Sequence, residues 1–245
     1  MKTEREQLSG SAKYRMVYHK LSEAIGAGRL TRDMVVCEAS AGSTGVALAY
    51  AANALGLRCE VHIYEGTASV KVARMNELGA HIVEHGKLVS PGDVIAMLQT
   101  KASAGSHWYL GQYQRQVQDC YRSLALELFD QCREAFSMPR PVFVCPVGTG
   151  GLIQGVGRVL REVAPNVEIV ALEPEPGARI DGIRNTKIMN MGAADPYDPE
   201  FVDSTLYAST PGSPSLSSGV GESSEAALTA IGENAWTTVV LLAPD

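Results

Sequence analysis

The chain has 245 residues, of which 45% are hydrophobic and 20% are charged, and its formal net charge is −6. This composition is typical of a soluble globular protein with one large core or two smaller ones, and the acidic balance argues against binding to a nucleic-acid backbone. Since no apolar stretch reaches the roughly 20 residues that span a bilayer, and the charged N-terminal sequence lacks the apolar core of a signal peptide, we expect a cytoplasmic protein with neither nucleic-acid nor membrane partners.

Helical and strand patterns alternate along the chain. Apolar residues at helical spacing predict helices, and short apolar runs between them predict buried strands. In chain order the predictions are a helix over 15–28, a strand over 34–39, a helix over 42–56, a strand over 58–64, a helix over 68–79, a strand over 80–85, a helix over 90–104, a strand over 107–111, one amphipathic helix over 116–136, a strand over 141–147, a helix over 151–163, a strand over 167–173, a long irregular stretch, a helix over 222–231 and a strand over 237–243.

Strands that alternate with helices predict parallel sheets covered by helices on both faces. Glycine-containing turns lead from a strand into a helix twice, around 40–45 and around 148–151. One such turn in each half predicts an α/β protein of two three-layer domains, with mostly parallel twisted sheets and a ligand cleft between the domains. We place the smaller domain at 30–112, and the larger domain at 1–29 together with 113–245.

The cysteines and histidines do not form a ligand pattern. The five cysteines are widely spread and contain no C-x-x-C pair, which favours buried, reduced thiols. His81 and His85 have i, i+4 spacing, but their segment reads as a strand and no third ligand lies nearby. We therefore expect no metal site.

The turn "VGTGG" joins a predicted strand to the helix that begins at Gly151. It lacks the third glycine of a dinucleotide fingerprint, since Ile153 stands there, and it lacks the Gly-Lys-Ser/Thr ending of a nucleotide P-loop. Bare glycine backbone at the positive end of a helix suits a single phosphate, with Thr149 adding a hydroxyl. A tight turn without any ligand is the alternative interpretation.

A second turn, "EASAGSTG" at 38–45, also follows a strand and opens a helix. Its hydroxyls come from Ser40, Ser43 and Thr44, and its glycines let backbone N–H groups approach a ligand. The same physics as in the first turn would hold a carboxylate. Capping of the helix by Ser43 or Ser40, with no ligand, is the alternative.

Lys13 lies in "SGSAKYR", just before the first predicted helix, and small neighbours leave room around it. A surface lysine is one interpretation. The other is an amine that forms a Schiff base, which must lose solvent and its proton near neutral pH. Spacing alone leaves both interpretations open.

Taken together, "GSAKYR", "AGSTG" and "VGTGGL" resemble the fold-type II pyridoxal-phosphate enzymes, specifically the cysteine synthase and cystathionine β-synthase family, whose fold is like that of the tryptophan synthase β subunit. The corresponding family patterns are G-S-x-K-D-R, S-G-N-T-G and G-T-G-G-T. The resemblance also covers "MNELGAHIVEHG", "GQY", "GVGRVLREVAPNVEIVALEP" and "GVGESSEAALTAIG". It therefore extends over nearly the whole chain.

The resemblance implies a role for each matching residue. Lys13 would form the Schiff base with pyridoxal 5'-phosphate and later move the Cα proton. The remaining cofactor contacts would come from the ring-side Ser43 and from the phosphate-binding residues Gly148, Thr149, Gly150 and Gly151. The substrate carboxylate would be bound by Ser40, Gly42, Thr44 and Gln112.

The implied reaction is β-replacement or β-elimination on a small serine- or cysteine-type amino acid through an aminoacrylate, with the cofactor as electron sink. The family also implies a homodimer. Two alternatives remain open at this point: an ammonia-lyase or desulfhydrase that uses the same cofactor, and a non-catalytic relative whose scaffold binds a ligand or partner.

The sequence departs from the family pattern at several positions. Ser43 replaces the asparagine that donates to the ring hydroxyl of the cofactor, and Tyr14 replaces the aspartate after the lysine. Twelve residues precede Lys13, where the family has a few dozen, and the family's Ser-Gly does not follow the final "LLAPD". We expect the short ends to be those of a fragment or an incomplete sequence, and a chain that has lost its edges is the alternative.

Overall fold

The computed structural model describes residues 1–67, 69–189, 195–209, 222–232, 236 and 238–244. The chain divides into two compact units, one of residues 6–112 and one of residues 1–5 with 113–245. None of the helices within the described ranges is both long and apolar enough to cross a bilayer.

The helices and strands alternate as the apolar periodicity predicts. In chain order they are β1 (Lys2–Thr3), α1 (Lys13–Gly26), β2 (Val35–Ala39), α2 (Ser43–Leu55), β3 (Arg58–Tyr64), α3 (Ser69–Glu77), β4 (His81–His85), α4 (Pro91–Ser103), β5 (His107–Tyr109), a 3₁₀ segment (Arg115–Tyr121), α5 (Arg122–Gln131), α6 (Arg133–Phe136), β6 (Val142–Pro146), α7 (Gly151–Val163), β7 (Glu168–Pro174), a 3₁₀ turn (Pro199–Phe201), β8 (Ser204–Ala208), α8 (Glu222–Gly232) and β9 (Val239–Ala243).

The unit of residues 6–112 contains a four-stranded sheet with the order β4-β3-β2-β5. Its strand pairs are all parallel, with Val36 opposite Cys59 on one side and opposite Trp108 on the other. The sequence of β2, "VVCEA", is almost wholly buried, as expected of a central parallel strand. Parallel strands end at the same edge of a sheet, so the segments after β2 and β5 are neighbours there.

The unit of residues 1–5 and 113–245 contains a five-stranded parallel sheet with the order β1-β9-β6-β7-β8. Every residue of β6, "VFVCP", is buried. One part of the core packs the strand residues Val144, Val170 and Leu241 against alanines of α8. The predicted class of two α/β domains with mostly parallel sheets is confirmed, since every pairing between described strands is parallel.

The expected helix over 116–136 is wrong in its first part. Residues Arg115–Tyr121 form a 3₁₀ segment, followed by α5 and the short α6. The 3₁₀ segment packs directly on α7: a methyl group of Val117 faces Gly151, and the backbone of Gln118 faces Gly155. This backbone-to-helix contact has no signature in the apolar periodicity, which continues across both segments.

Two strands, β8 and β1, were not predicted from the sequence, and the reason is the same for both. β8 lies within the stretch expected to be irregular, and it is an edge strand whose residues are mostly half-exposed or exposed. β1 has only two residues, which pair with Leu242 and Ala243 of β9. Neither strand carries the apolar run that marks a buried strand.

The division of the chain also differs from the expected boundaries. Residues 1–29 were expected to belong to the larger domain, whereas residues 6–29 cluster with the rest of 6–112. The reason is that α1 packs against α2, and it buries Met16, Val17, Leu21 and Ala24.

All five cysteines are free thiols, as expected. Cys37, Cys59, Cys120 and Cys145 are buried, while Cys132 is half-exposed. Burial raises the pKa of both Cys37 and Cys59 to about 12. These two thiols therefore stay protonated and unreactive near neutral pH.

The central strand β2 carries a carboxylate, Glu38, whose side chain is fully buried. One carboxylate oxygen accepts a hydrogen bond from the N–H of Ala39 at 2.8 Å, and the other accepts from the N–H of Gln112 at 2.9 Å. Burial raises the pKa of Glu38 to about 7, although these backbone hydrogen bonds oppose the shift. Glu38 thus ties the end of β2 to the segment that follows β5.

Replacing Glu38 with Gln is expected to remove a pH dependence of folding stability. Because its pKa is raised in the folded protein, the folded chain retains a proton between about pH 4.5 and about pH 7 that the unfolded chain releases. The free energy of unfolding of the wild-type protein therefore falls as the pH rises through this window, by on the order of 3 kcal/mol from this group. Urea unfolding of both proteins across and above the window measures the effect.

The free energy of unfolding of Glu38→Gln minus that of the wild type should rise with pH up to about pH 7 and then remain constant. Glu65→Gln is the matched control, because it removes an exposed carboxylate just after the neighbouring strand β3. A Glu38→Gln difference that is the same at every pH would contradict this assignment.

Candidate active site

Lys13 is the first residue of α1, and its side chain is half-buried. The chain enters this helix through a turn in which the N–H of Gly10 donates to the carbonyl oxygen of Gln7, and Gly10 has a φ of 80°. The hydroxyl oxygens of Ser9 and Ser11 are buried and have no hydrogen-bond partner in the described chain. Unpartnered buried hydroxyls are costly in a folded protein, so they mark this turn as a place for a polar ligand.

Tyr14, which replaces the family's aspartate, packs between helices. Its ring stacks on Tyr18 of α1 at 6.1 Å and meets Tyr50 of α2 edge-on at 5.9 Å, measured between ring centroids. Burial raises the pKa of the Tyr14 hydroxyl above its ordinary value. Tyr14 therefore supports the α1–α2 contact that holds the start of α1 in place.

The segment between β2 and α2 is organised by the hydroxyl of Ser40. Its oxygen accepts hydrogen bonds from the N–H groups of Gly42 at 3.3 Å and Gly45 at 3.1 Å. This is the capping by Ser40 that the sequence analysis left open. Gly42 is the N-cap residue of α2, and Ser43, the first helical residue, is half-buried.

Capping by Ser40 does not use every donor of this turn. The N–H groups of Ser43 and Thr44 lie in the first turn of α2, where no intrahelical acceptor exists. No acidic side chain occupies that turn. The positive end of α2 is therefore suited to an added carboxylate.

Gln112 connects the two segments that follow β2 and β5. Its side-chain carbonyl accepts from the Thr44 hydroxyl at 2.8 Å, and its side-chain N–H donates to the carbonyl oxygen of Ala39 at 2.8 Å. Thr44 and Gln112 are both buried, as is Ser40. The structure thus brings together Ser40, Thr44 and Gln112, three of the residues expected to bind substrate.

The turn between β6 and α7 contains Gly148, Thr149 and Gly150, and α7 begins at Gly151. Gly150 is the N-cap residue of α7 and has a φ of 84°, a left-handed conformation that favours glycine. The Thr149 hydroxyl accepts a 3.4 Å hydrogen bond from the N–H of Gly151. No acidic residue lies in the first turn of α7, so the positive end of this helix is also suited to an anion.

The glycines of this turn are enclosed by other parts of the same unit. A Cβ atom on Gly148 would lie 2.8 Å from the carbonyl oxygen of Gly182, and one on Gly150 would lie 2.5 Å from the Cβ of Tyr197. A Cβ on Gly151 would lie 2.5 Å from a methyl carbon of Val117. These close contacts leave no room for a side chain at any of the three glycines and restrict movement of the turn.

The structure adds residues that the sequence analysis missed. Arg184, on the segment after β7, donates from its Nε to the carbonyl oxygen of Gly148 at 2.7 Å. The side chain of Gln154 on α7 donates to the carbonyl oxygen of Pro196 at 2.8 Å and accepts from the N–H of Asp198 at 2.9 Å, which holds Tyr197 beside Gly150. Arg184 and Gln154 have no local signal in the sequence. Glu38, which supports the other turn, does have one, because it is a carboxylate within an otherwise apolar strand.

Comparisons with known proteins identify the family of the chain. A family model described as "Pyridoxal-phosphate dependent enzyme" matches residues 1–242. The chain is 30% identical over 172 residues to the cystathionine β-synthase of Apis mellifera, which covers 68% of the chain and 33% of that relative. It is 26% identical over 206 residues to the cysteine synthase of Aquifex aeolicus (strain VF5), which covers 82% of the chain and 61% of that relative.

A solved structure has the same fold. The crystal structure of a hydrogen sulfide-producing enzyme from Fusobacterium nucleatum superposes with a TM-score of 0.81 at 19% sequence identity, and the match covers 99% of the chain and 86% of that structure. The sequence relatives are longer, so the chain spans about a third of the cystathionine β-synthase and 61% of the cysteine synthase. The resemblance seen in the three motifs is confirmed: the chain belongs to the family of pyridoxal-phosphate dependent enzymes, and its cofactor is pyridoxal phosphate.

Proposed function

We propose that the protein catalyses β-replacement or β-elimination on a small serine- or cysteine-type amino acid. The observation that carries this proposal is the glycine turn of residues 148–151, which opens α7 with a bare, locked backbone and no competing acidic side chain. The similarity to cysteine synthase and cystathionine β-synthase supports the reaction class.

Gly148, Thr149, Gly150 and Gly151 would bind the phosphate of the cofactor. The hydrogen bonds found in the described part of the chain provide no acceptor for the N–H groups of Gly148, Thr149 and Gly150. Backbone N–H groups at a helix N-terminus, together with the Thr149 hydroxyl, are the donors that a phosphate monoester requires. The residues present therefore fit the cofactor.

Lys13 would bind the cofactor covalently through its amine and would transfer the proton at the substrate Cα. The unpartnered hydroxyls of Ser9 and Ser11 give the same turn two further donors for a polar ligand. Ser43 would face the cofactor ring in place of the family's asparagine. Pyridoxal phosphate, when bound, supplies the electron sink that makes loss of the Cα proton feasible.

The segment of residues 40–44 would bind the substrate carboxylate, with Gln112 assisting. The hydrogen bonds of Gln112 to Thr44 and Ala39 fix the segment before any substrate arrives. A preorganised carboxylate site loses less entropy on binding and holds Cα in one orientation. For this cofactor, the main contribution of the protein is to orient the substrate.

Lys13→Ala is expected to abolish covalent attachment of the cofactor. The wild-type protein mixed with pyridoxal phosphate should show a visible absorption band, and borohydride should then fix the cofactor on the peptide that contains Lys13. Absorption spectra and mass spectrometry of peptides measure both effects. Lys71→Ala, which removes another half-buried lysine of the same unit, should retain them. A wild-type protein that stays colourless and unmodified would contradict the proposal and favour a non-catalytic binding protein.

The reaction outcome can be measured with O-acetylserine, with and without sulfide. We expect cysteine to accumulate when sulfide is present, because a nucleophile then replaces the β-substituent. Equal pyruvate under both conditions, with no cysteine, would exclude replacement and leave elimination as the activity. A protein that carries the cofactor but forms neither product would contradict both reactions.

A further inference from the structure

Arg184 contacts the glycine turn through two consecutive carbonyl groups. Its backbone N–H donates to the carbonyl oxygen of Val147 at 2.9 Å, and its Nε–H donates to the carbonyl oxygen of Gly148 at 2.7 Å. Arg184 is only 8% exposed, so both hydrogen bonds are shielded from water. One residue therefore fixes the two peptide groups at the start of the turn.

Because peptide bonds are planar, these contacts also determine where the N–H groups of Gly148 and Thr149 point. In a trans peptide the C=O and the following N–H point in opposite directions, and the structure contains no cis peptide among the described residues. Since the carbonyls of Val147 and Gly148 point toward Arg184, the N–H groups of Gly148 and Thr149 point away from it. We infer that Arg184 is a positioning residue that directs these two N–H groups at the phosphate, an inference that rests on the phosphate role proposed above for residues 148–151.

Arg184 is itself held rigidly. Its guanidinium forms a bidentate ion pair with Asp195, with N–O distances of 2.7 and 2.6 Å, and its Nη1 also donates to the carbonyl oxygen of Met189 at 2.5 Å. The Asp195 carboxylate is about as buried as the guanidinium. A planar guanidinium with this many fixed partners has no freedom to rotate away from the Gly148 carbonyl.

The same contacts argue that Arg184 does not bind the phosphate directly. Nε is used by Gly148, both hydrogens of Nη1 are used by Met189 and Asp195, and one hydrogen of Nη2 is used by Asp195. Four of the five guanidinium N–H donors therefore have partners within the protein, and the Asp195 carboxylate neutralises the charge. The guanidinium acts on the phosphate through the peptide groups of the turn.

The segment that carries Arg184 is anchored to the sheet independently. The carboxylate of Glu173, at the end of β7, accepts from the N–H of Thr186 at 2.9 Å and from its hydroxyl at 2.8 Å. The side-chain amide of Asn185 donates to the carbonyl oxygen of Pro174 at 2.9 Å. These anchors remain when Arg184 is changed, so the segment stays attached to the end of β7.

Arg184→Gln is expected to weaken pyridoxal phosphate binding at least about tenfold, since it removes a charge-assisted hydrogen bond from the Gly148 carbonyl. The dissociation constant is measured by titrating the protein with pyridoxal phosphate and following absorption. At saturating cofactor, the loss in kcat should be smaller than the loss of affinity for pyridoxal phosphate. Arg184→Lys should not restore the affinity, because an ammonium group keeps the charge but not the Nε geometry.

The matched control is Arg161→Gln. Arg161 also pairs with an aspartate in the same unit, since its Nη2 contacts both carboxylate oxygens of Asp203, but both side chains are substantially exposed and lie near the opposite end of α7. This variant should bind the cofactor as the wild type does. If Arg184→Gln does not fold, Asp195→Asn gives the second test, and it should weaken cofactor binding in the same direction by freeing the guanidinium.

The failure of this inference is distinguishable from the failure of the proposed function. Inorganic phosphate, titrated into Lys13→Ala with and without Arg184→Gln and followed by ³¹P NMR, reports on the turn without the lysine. Weaker phosphate binding caused by Arg184→Gln supports the inference even if no visible band forms with the wild type. Two results would overturn the inference while the proposed function stands. One is that Arg184→Gln changes neither the affinity for pyridoxal phosphate nor the affinity for inorganic phosphate. The other is that Arg184→Lys binds pyridoxal phosphate with full affinity.

Discussion

The candidate site depends on one constraint at the carboxyl end of β6. The chain must pass from a fully buried strand into α7 while its N–H groups stay available to an anion, so its carbonyl groups must find partners elsewhere. Glycine at 148, 150 and 151 allows the turn to fit against Gly182, Tyr197 and Val117, where side chains would collide. The buried strand, the glycine turn and the N-terminus of α7 therefore depend on one another.

Each unit uses a buried ionisable side chain to organise the turn at its sheet edge. Whether that side chain accepts or donates hydrogen bonds determines which backbone groups of the turn it occupies. Glu38 accepts from the N–H groups of Ala39 and Gln112, which consumes donors and joins two segments. Arg184 donates to the carbonyls of Val147 and Gly148, which consumes acceptors and leaves N–H groups for a ligand. The turn proposed to bind the phosphate through its amides is thus held by a buried guanidinium.

Much of the fold follows from local sequence signals, while the supporting contacts of the site do not. Apolar runs predicted the central strands, and glycines beside strand ends predicted both turns. Edge strand β8 was missed because an edge needs no apolar run. Arg184 was missed, since it contacts Gly148 across 36 residues, and Gln112 was named only from the family resemblance, since it contacts Glu38 across 74 residues. Periodicity describes which face of an element is buried, and it contains no information about such distant partners.

The two glycines of the turn between β2 and α2 serve different purposes, and the structure separates them. Gly45 is required by packing, since a Cβ there would lie 2.8 Å from the carbonyl oxygen of Ser40 and 2.9 Å from the sulfur of Met75. Gly42 has an ordinary negative φ of −123°, and a Cβ there would meet nothing within 4 Å. The fold therefore sets no steric requirement for glycine at 42. The open space in front of its backbone is available to a ligand that approaches closely, which is the role proposed for Gly42 toward the substrate carboxylate.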